Sequence, residues 1–193
     1  LALPIMLSSM GQQLVQMVDT FMVGRLGTVQ LAAISFASAL TYNALVIGMG
    51  IALALTPLVG QNYAKNNKEA ITNLFQNSLS LNTILAICLV SILLLLLPFL
   101  HLFGQPMEVV NECKSYYVIV ALSFIPMLWF LTFKQLLEGI DNTKVAMIIT
   151  ISANILNIFL NWVFIYGKLG CPAMGVFGAG LSTFISRVLS PIA

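Results

Sequence analysis

Leu14-Val15-Gln16-Met17-Val18-Asp19-Thr20-Phe21-Met22-Val23 sets a carboxylate inside a mostly apolar, helix-like stretch. The sequence holds six acidic residues, and the other five (Glu69, Glu108, Glu112, Glu138 and Asp141) fall in or beside polar connecting stretches. A carboxylate inside a bilayer is costly, so it normally faces a partner, a cavity or an ion path. Asp19 is therefore the candidate centre of function, and the rest of the chain is read outward from it.

The composition fixes the solvent in which that reading holds. Of 193 residues, 60% are hydrophobic and 7% charged, against about 25% charged in a soluble domain. So little polar surface cannot solvate a globule of this size, and the chain reads as an integral membrane protein. A net charge of +2 points to no nucleic-acid partner. The first span lacks a basic leader and is not a signal peptide. The sequence opens on Leu1 and stops within an apolar run at Ala193, as a piece of a longer protein would. Cys88 lies in a span, while Cys113 and Cys171 lie near connections on one side. Three separate thiols are expected over a Cys113–Cys171 disulfide, and the spacing matches no zinc or CxxC pattern.

A spanning helix needs about 20 apolar residues. That rule predicts six spans, at about 3–24, 31–59, 71–99, 113–136, 145–167 and 175–193. The expected fold is an all-α bundle of six transmembrane helices with short polar connections. Lys65, Lys68, Lys134 and Lys144 mark one set of span ends, and Arg25, Lys114 and Lys168 the other. The positive-inside rule then puts the 60–70 and 138–144 loops in the cytoplasm and the 24–30, 100–112 and 168–174 loops outside. Pro4, Pro57, Pro98, Pro126 and Pro191 fall in or at the edges of spans, where a missing N–H kinks a helix.

Polar residues recur at helical spacing. Ser9, Gln12, Gln16 and Asp19 share a face of the first span, and Asn154, Asn157 and Asn161 share a face of the fifth. Thr183 and Arg187 form an i, i+4 pair in the sixth. Such groups must face protein or water. Singly, Asn154 or Ser9 reads as ordinary interhelical hydrogen bonding; a carboxylate is a poor choice for static packing. At 1.5 Å per residue, Asp19, Asn157, Asn161 and Thr183 all fall about 8–15 Å below the outer surface. Carboxylate, amide and hydroxyl oxygens at one depth suit reversible protonation or a hard cation such as sodium. Arg187 either pairs with Asp19 or snorkels toward the cytoplasmic end. No HExxH, GxSxG or Walker A sequence competes, and His101 reads as solvated at a loop edge. Gly175-x-x-Gly178-x-Gly180 lacks a preceding strand and reads as close helix packing.

Several stretches resemble one family. Pro4, then Val18-Asp19-Thr20-Phe21-Met22-Val23-Gly24-Arg25-Leu26-Gly27 with Leu31-Ala32-Ala33, resembles the opening of multidrug and toxic compound extrusion (MATE) transporters. Thr56-Pro57-Leu58-Val59-Gly60-Gln61 with Tyr63-Ala64 resembles the end of their second helix. Asn157-Ile158-Phe159-Leu160-Asn161-Trp162-Val163-Phe164-Ile165-Tyr166-Gly167 and Gly178-Ala179-Gly180-Leu181-Ser182-Thr183 resemble their fifth and sixth. The resemblance implies the amino-terminal six-helix lobe of a twelve-helix, two-lobe transporter, in a bacterial cytoplasmic membrane. It implies export of small organic cations and drugs by alternating access, in exchange for protons or sodium. Asp19 would be the coupling-ion site, with Asn157, Asn161 and Thr183 around it and sodium a candidate ligand of Asp19, Asn157 and Asn161. Gln12 would line the substrate cavity, and Pro4 would be a bending point of the first helix; the shared polar faces extend the expected cavity lining to Gln16 and Asn154. Partners would be the bilayer and a second lobe or second copy; no cofactor beyond the coupling ion and no enzyme activity are expected. Some members carry Asp where this chain has Asn161, and the Asn looks like the NorM-type branch.

Two other readings stay open. A lipid-linked saccharide flippase of the same superfamily needs basic residues for a pyrophosphate, with Arg187 and Lys134 as its candidates. A non-transporting membrane scaffold predicts that Asp19→Asn is silent.

Overall fold

The computed structural model describes residues 2–191, apart from the side chains of residues 2–5 and 7–9. Its helices are α1 (Ala2–Gly24), α2 (Thr28–Leu53), α3 (Leu55–Ala64), α4 (Lys68–Leu96), a 3-10 helix (Leu97–Phe103), α5 (Met107–Leu122), α6 (Phe124–Gly139), α7 (Thr143–Tyr166) and α8 (Gly175–Leu189). The described residues contain no strand. Among the described residues four stretches are long and apolar enough to cross a membrane: Thr28–Ala64, Lys68–Phe103, Met107–Gly139 and Thr143–Tyr166. The 23-residue α1 is diluted by Gln12, Gln13, Gln16 and Asp19, and α8 is an apolar helix of 15 residues. The chain is an all-α integral membrane protein.

Local chemistry sets the helix ends. Asn67 caps α4 by accepting from the Ala70 N–H at 3.1 Å. Pro106 precedes α5, and Glu108 lies in its first turn, where the helix dipole favours an anion. Gly167 ends α7 at a φ of 66°, and a Cβ there would meet the Ala173 backbone nitrogen at 2.6 Å. That position needs glycine both for its conformation and for its space.

Where the helices differ from the apolar spans, polar residues or prolines are the reason. The stretch expected at 31–59 is helical from Thr28 to Ala64 but interrupted at Ala54. The stretch expected at 113–136 begins six residues earlier, at Met107, and is interrupted at Ser123. Each interruption stands three residues before a proline, Pro57 or Pro126, whose missing N–H leaves the carbonyl of Leu53 or Leu122 without its helical donor. Polar residues such as Gln61, Glu108 and Glu112 continue helices past the hydrocarbon, so hydropathy alone ends them early. The last span, expected at 175–193, is helical to Leu189; residues 192–193 lie outside the described residues.

Small residues bring α2 into the bundle. Ala33, Ala37, Thr41, Ala44, Gly48 and Ala52 are its buried positions and make one stripe at i, i+4 and i, i+3 spacing. The larger core joins that stripe to Leu89 and Leu93 of α4, Tyr117 of α5, and Phe124 and Leu128 of α6. Buried polar groups pair across helices: Tyr117 donates to the Leu93 carbonyl at 2.9 Å, and Asn82 Nδ2 donates to Thr132 Oγ1 at 2.7 Å. Thr56 of α3 donates to Gln135 Oε1 of α6 at 2.5 Å. A smaller core of Met22, Val23, Ile165 and Ala179 sits where α1, α7 and α8 meet. This second core is the floor of the candidate site.

Candidate functional site

The site is built by the α7–α8 hairpin closing on α1. Gly178 lies against the backbone of α7, so close that a Cβ would meet the Phe164 carbonyl oxygen at 2.7 Å. The two helices are antiparallel. Three residues back along α7 and four residues on along α8, the same face therefore places Asn161 opposite Ser182. Ser182 Oγ hydrogen-bonds the Asn161 side-chain oxygen. On its other side Asn161 Nδ2 donates to Asp19 Oδ1 at 2.5 Å and to Asn157 Oδ1 at 3.2 Å. Tyr166 fixes the α1 end by donating its hydroxyl to the Met22 carbonyl at 2.9 Å.

Asn161 is thus a hub whose donors and acceptor are all turned inward. It is 1% exposed, Asn157 is 6% and Ser182 is 0%. Asp19 is half-buried, and its Oδ2 has no protein donor among the described residues. The arrangement presents one carboxylate oxygen held by an amide and a second one free. A carboxylate so placed can take a proton or contribute to a shell of oxygen ligands for a hard cation. No group of three or more His, Cys, Asp or Glu residues is positioned to hold a metal among the described residues.

The expected residues separate into two groups. Asp19, Asn157 and Asn161 come together. Thr183 does not join their hydrogen bonds: its hydroxyl donates to the Ala179 carbonyl of its own helix at 2.9 Å. The residue that takes that place is Ser182. The Gly178 spacing was the signal, because a residue four positions after the point of closest helix approach shares its face. Asn154 lies beside α1, its Nδ2 3.5 Å from where a Cβ on Gly11 would sit, and this buried donor has no partner among the described residues. Gln12 and Gln16 are exposed on α1. Pro4 lies in the first turn of α1, and the Pro4 and Ser9 side chains lie outside the described residues.

Arg187 neither pairs with Asp19 nor snorkels to the helix end. Its Nη1 donates to Ser123 Oγ at 2.6 Å, at the interruption between α5 and α6. Among the described residues the ion pair is Lys134–Glu138, an i, i+4 pair at 3.8 Å. The three cysteines are free thiols.

With this geometry in hand, the MatE family profile matches residues 4–163. The chain belongs to the MatE family. A probable multidrug resistance protein NorM of Photorhabdus laumondii is 33% identical over 94% of this chain and 40% of its own length. The multidrug resistance protein NorM of Vibrio parahaemolyticus is 32% identical over 96% of this chain and 41% of its own. In fold, a MOP superfamily transporter from Pyrococcus furiosus superposes with a TM-score of 0.91 over all of this chain and 42% of that one, at 24% identity. The chain spans about two fifths of the length of the NorM relatives it matches. A MatE chain of this extent corresponds to one lobe of the longer transporters.

Proposed function

We propose that this chain is the amino-terminal lobe of a cation-coupled antiporter that exports small organic cations and drugs across a bacterial cytoplasmic membrane by alternating access. The observation that carries the proposal is Asp19 itself: an interior carboxylate with one oxygen bonded to Asn161 and the other free. Proton or sodium arrival at Asp19 from outside shifts the lobe between conformations, which requires that the ion bind one state more tightly than the other. Asn161 holds the carboxylate and is itself held by Asn157 and Ser182, with Thr183 beside them. Gln12 and Gln16, exposed, and Asn154, whose amide donor has no partner among the described residues, form the cavity wall on which the substrate competes. Pro4 is the bending point of α1. A second lobe or a second copy closes the cavity. The NorM names of the relatives support a multidrug substrate range.

The flippase reading is disfavoured, because its two candidate cations are engaged: Lys134 is 3.8 Å from Glu138, and Arg187 bonds Ser123. The test is accumulation of a fluorescent organic cation in efflux-deficient bacteria expressing the gene's full-length product. Low accumulation in wild type, restored to control levels by Asp19→Asn at matched expression, is the expected result. No effect of the wild type with any of several dyes would withdraw the exporter.

A further inference from the structure

A groove runs between α6 and α8, on residues that the Asp19 cluster does not use. It encloses about 480 Å³, and every residue lining it is apolar, among them Leu122, Trp129, Phe133, Phe184 and Val188. Its α6 wall is fixed from behind. The Trp129 indole N–H donates to Thr83 Oγ1 of α4 at 2.9 Å, and the Phe133 ring packs on Phe75 with 5.2 Å between centroids. The one side-chain N–H in the lining is therefore spent on α4. A second cavity, of about 160 Å³, adjoins the groove; it shares Phe133 and Pro191 and adds Lys134 and Ala146. One turn past Lys134 stands Glu138, with 3.8 Å between ammonium and carboxylate and each side chain 13% exposed. That separation exceeds a hydrogen bond, which spans about 2.7–3.2 Å. Both charged groups thus keep hydrogen-bonding capacity for a third group.

We propose that the groove and the Lys134–Glu138 pair together hold one phospholipid whose headgroup carries a phosphate and a primary ammonium, of the phosphatidylethanolamine type. A site for a drug-sized molecule places a few polar groups among its apolar ones. Here the polar side chains stand at one end only, which is the layout of an acyl chain with a headgroup. That end carries both signs: the phosphate accepts from Lys134, and the lipid ammonium donates to Glu138. The next charges along the chain, Asp141 and Lys144, keep the same balance, so an anionic headgroup finds no excess of positive charge. Lys134 lies five residues before the end of α6 at Gly139, about 8 Å at 1.5 Å per residue, a depth from which a lysine stem reaches the interface. One ammonium shared with Glu138 suits a single phosphate, and the lipid rests in place rather than crossing the membrane. Lipid binding here is independent of the role of Asp19.

Native mass spectrometry of the full-length product tests the two ends of the site separately. Detergent-purified protein is offered phosphatidylethanolamine, phosphatidylcholine and phosphatidylglycerol of identical chains in equal amounts. Wild type is expected to retain one phosphatidylethanolamine, over phosphatidylcholine by roughly tenfold, because a quaternary ammonium has no N–H to give Glu138. Glu138→Gln is expected to abolish that preference. Lys134→Gln removes the phosphate contact and Val188→Trp fills the groove; each is expected to lower retention of all three lipids together. Equal retention of the three headgroups by wild type overturns the site, as does a preference for phosphatidylglycerol. A preference that survives Glu138→Gln overturns it too. So does the absence of any retained lipid, the result expected if further chain of the full-length product fills the groove. If Val188→Trp does not fold, Glu138→Gln decides alone: loss of the preference supports the site, and its survival overturns it.

Discussion

Asn161 of α7 donates its side-chain amide to the carboxylate of Asp19 on α1 at 2.5 Å, across 142 residues of sequence. The same side chain accepts from Ser182 on α8, so one residue joins α1, α7 and α8. Asn161→Ala therefore removes the joint of three helices at once. A hydrogen bond to a charged group contributes about 1.5–3 kcal/mol. A loss of stability of about that size is expected in detergent-solubilised protein, together with loss of ion-driven efflux. Asn161→Asp adds a second carboxylate and is expected to keep efflux while tightening its dependence on the driving cation. Thermal unfolding and dye efflux of the two variants check both.

The contact that sets this register is steric. A Cβ on Gly178 would lie 2.7 Å from the Phe164 carbonyl oxygen and 3.1 Å from the Ile165 nitrogen. Both obstacles are backbone, so Gly178→Ala has to push α8 outward, and Gly178→Val more so. The expected outcome is a graded loss of efflux from Ala to Val, at a thermal stability cost of about 1–3 kcal/mol of the kind seen on overpacking. Full efflux by Gly178→Val would mean that Ser182 does not need its place opposite Asn161.

A second polar pair offers a stability test that leaves the site untouched. Asn82 and Thr132 are both fully buried, and Asn82 Oδ1 has no partner among the described residues. Thr132→Val leaves Asn82 Nδ2 with only its long 3.5 Å bond to Ser78 Oγ, at an expected cost of about 1–3 kcal/mol. Replacing both partners with apolar residues, Asn82→Leu with Thr132→Val, is expected to recover most of it, since a missing partner costs more than a missing pair. Thermal unfolding of the single and double variants measures the difference.

Cysteine chemistry checks the orientation. Cys171 lies half-buried in the connection between α7 and α8, Cys113 is buried and Cys88 is exposed along α4. A membrane-impermeant maleimide applied to intact cells is expected to label Cys171 and to leave Cys113 unmodified until the protein is denatured. Labelling of Cys171 that required permeabilised cells would invert the topology read from the Lys and Arg distribution.

The all-helical, membrane-embedded character was legible in the sequence because long apolar runs have few structural alternatives. The convergence of Asp19 with Asn157 and Asn161 was legible as matching depth on separate helices. What was not legible depended on how helices face one another. Ser182 and Thr183 are adjacent, and both are small hydroxyl residues. Which of them reaches Asn161 is decided by where α8 comes closest to α7, at Gly178. The start of α5 was hidden for another reason: Glu108 and Glu112 read as loop, although a helix carries its charged residues wherever they reach water.

Gly139 closes α6 with its Cα side pressed on α3, where a Cβ would lie 2.7 Å from Val59. Thr56 and Gln135 fasten the same two helices one layer further in. Both α3 and α6 are the trailing pieces of proline-interrupted spans, and they are riveted to each other. They therefore tilt together or not at all, like two leaves on one spindle. The end of the lobe away from the Gly24–Thr28 turn can yield only as a unit, so a cross-link between α3 and α6 would leave transport intact, whereas one that locks Ala54 or Ser123 straight would jam it.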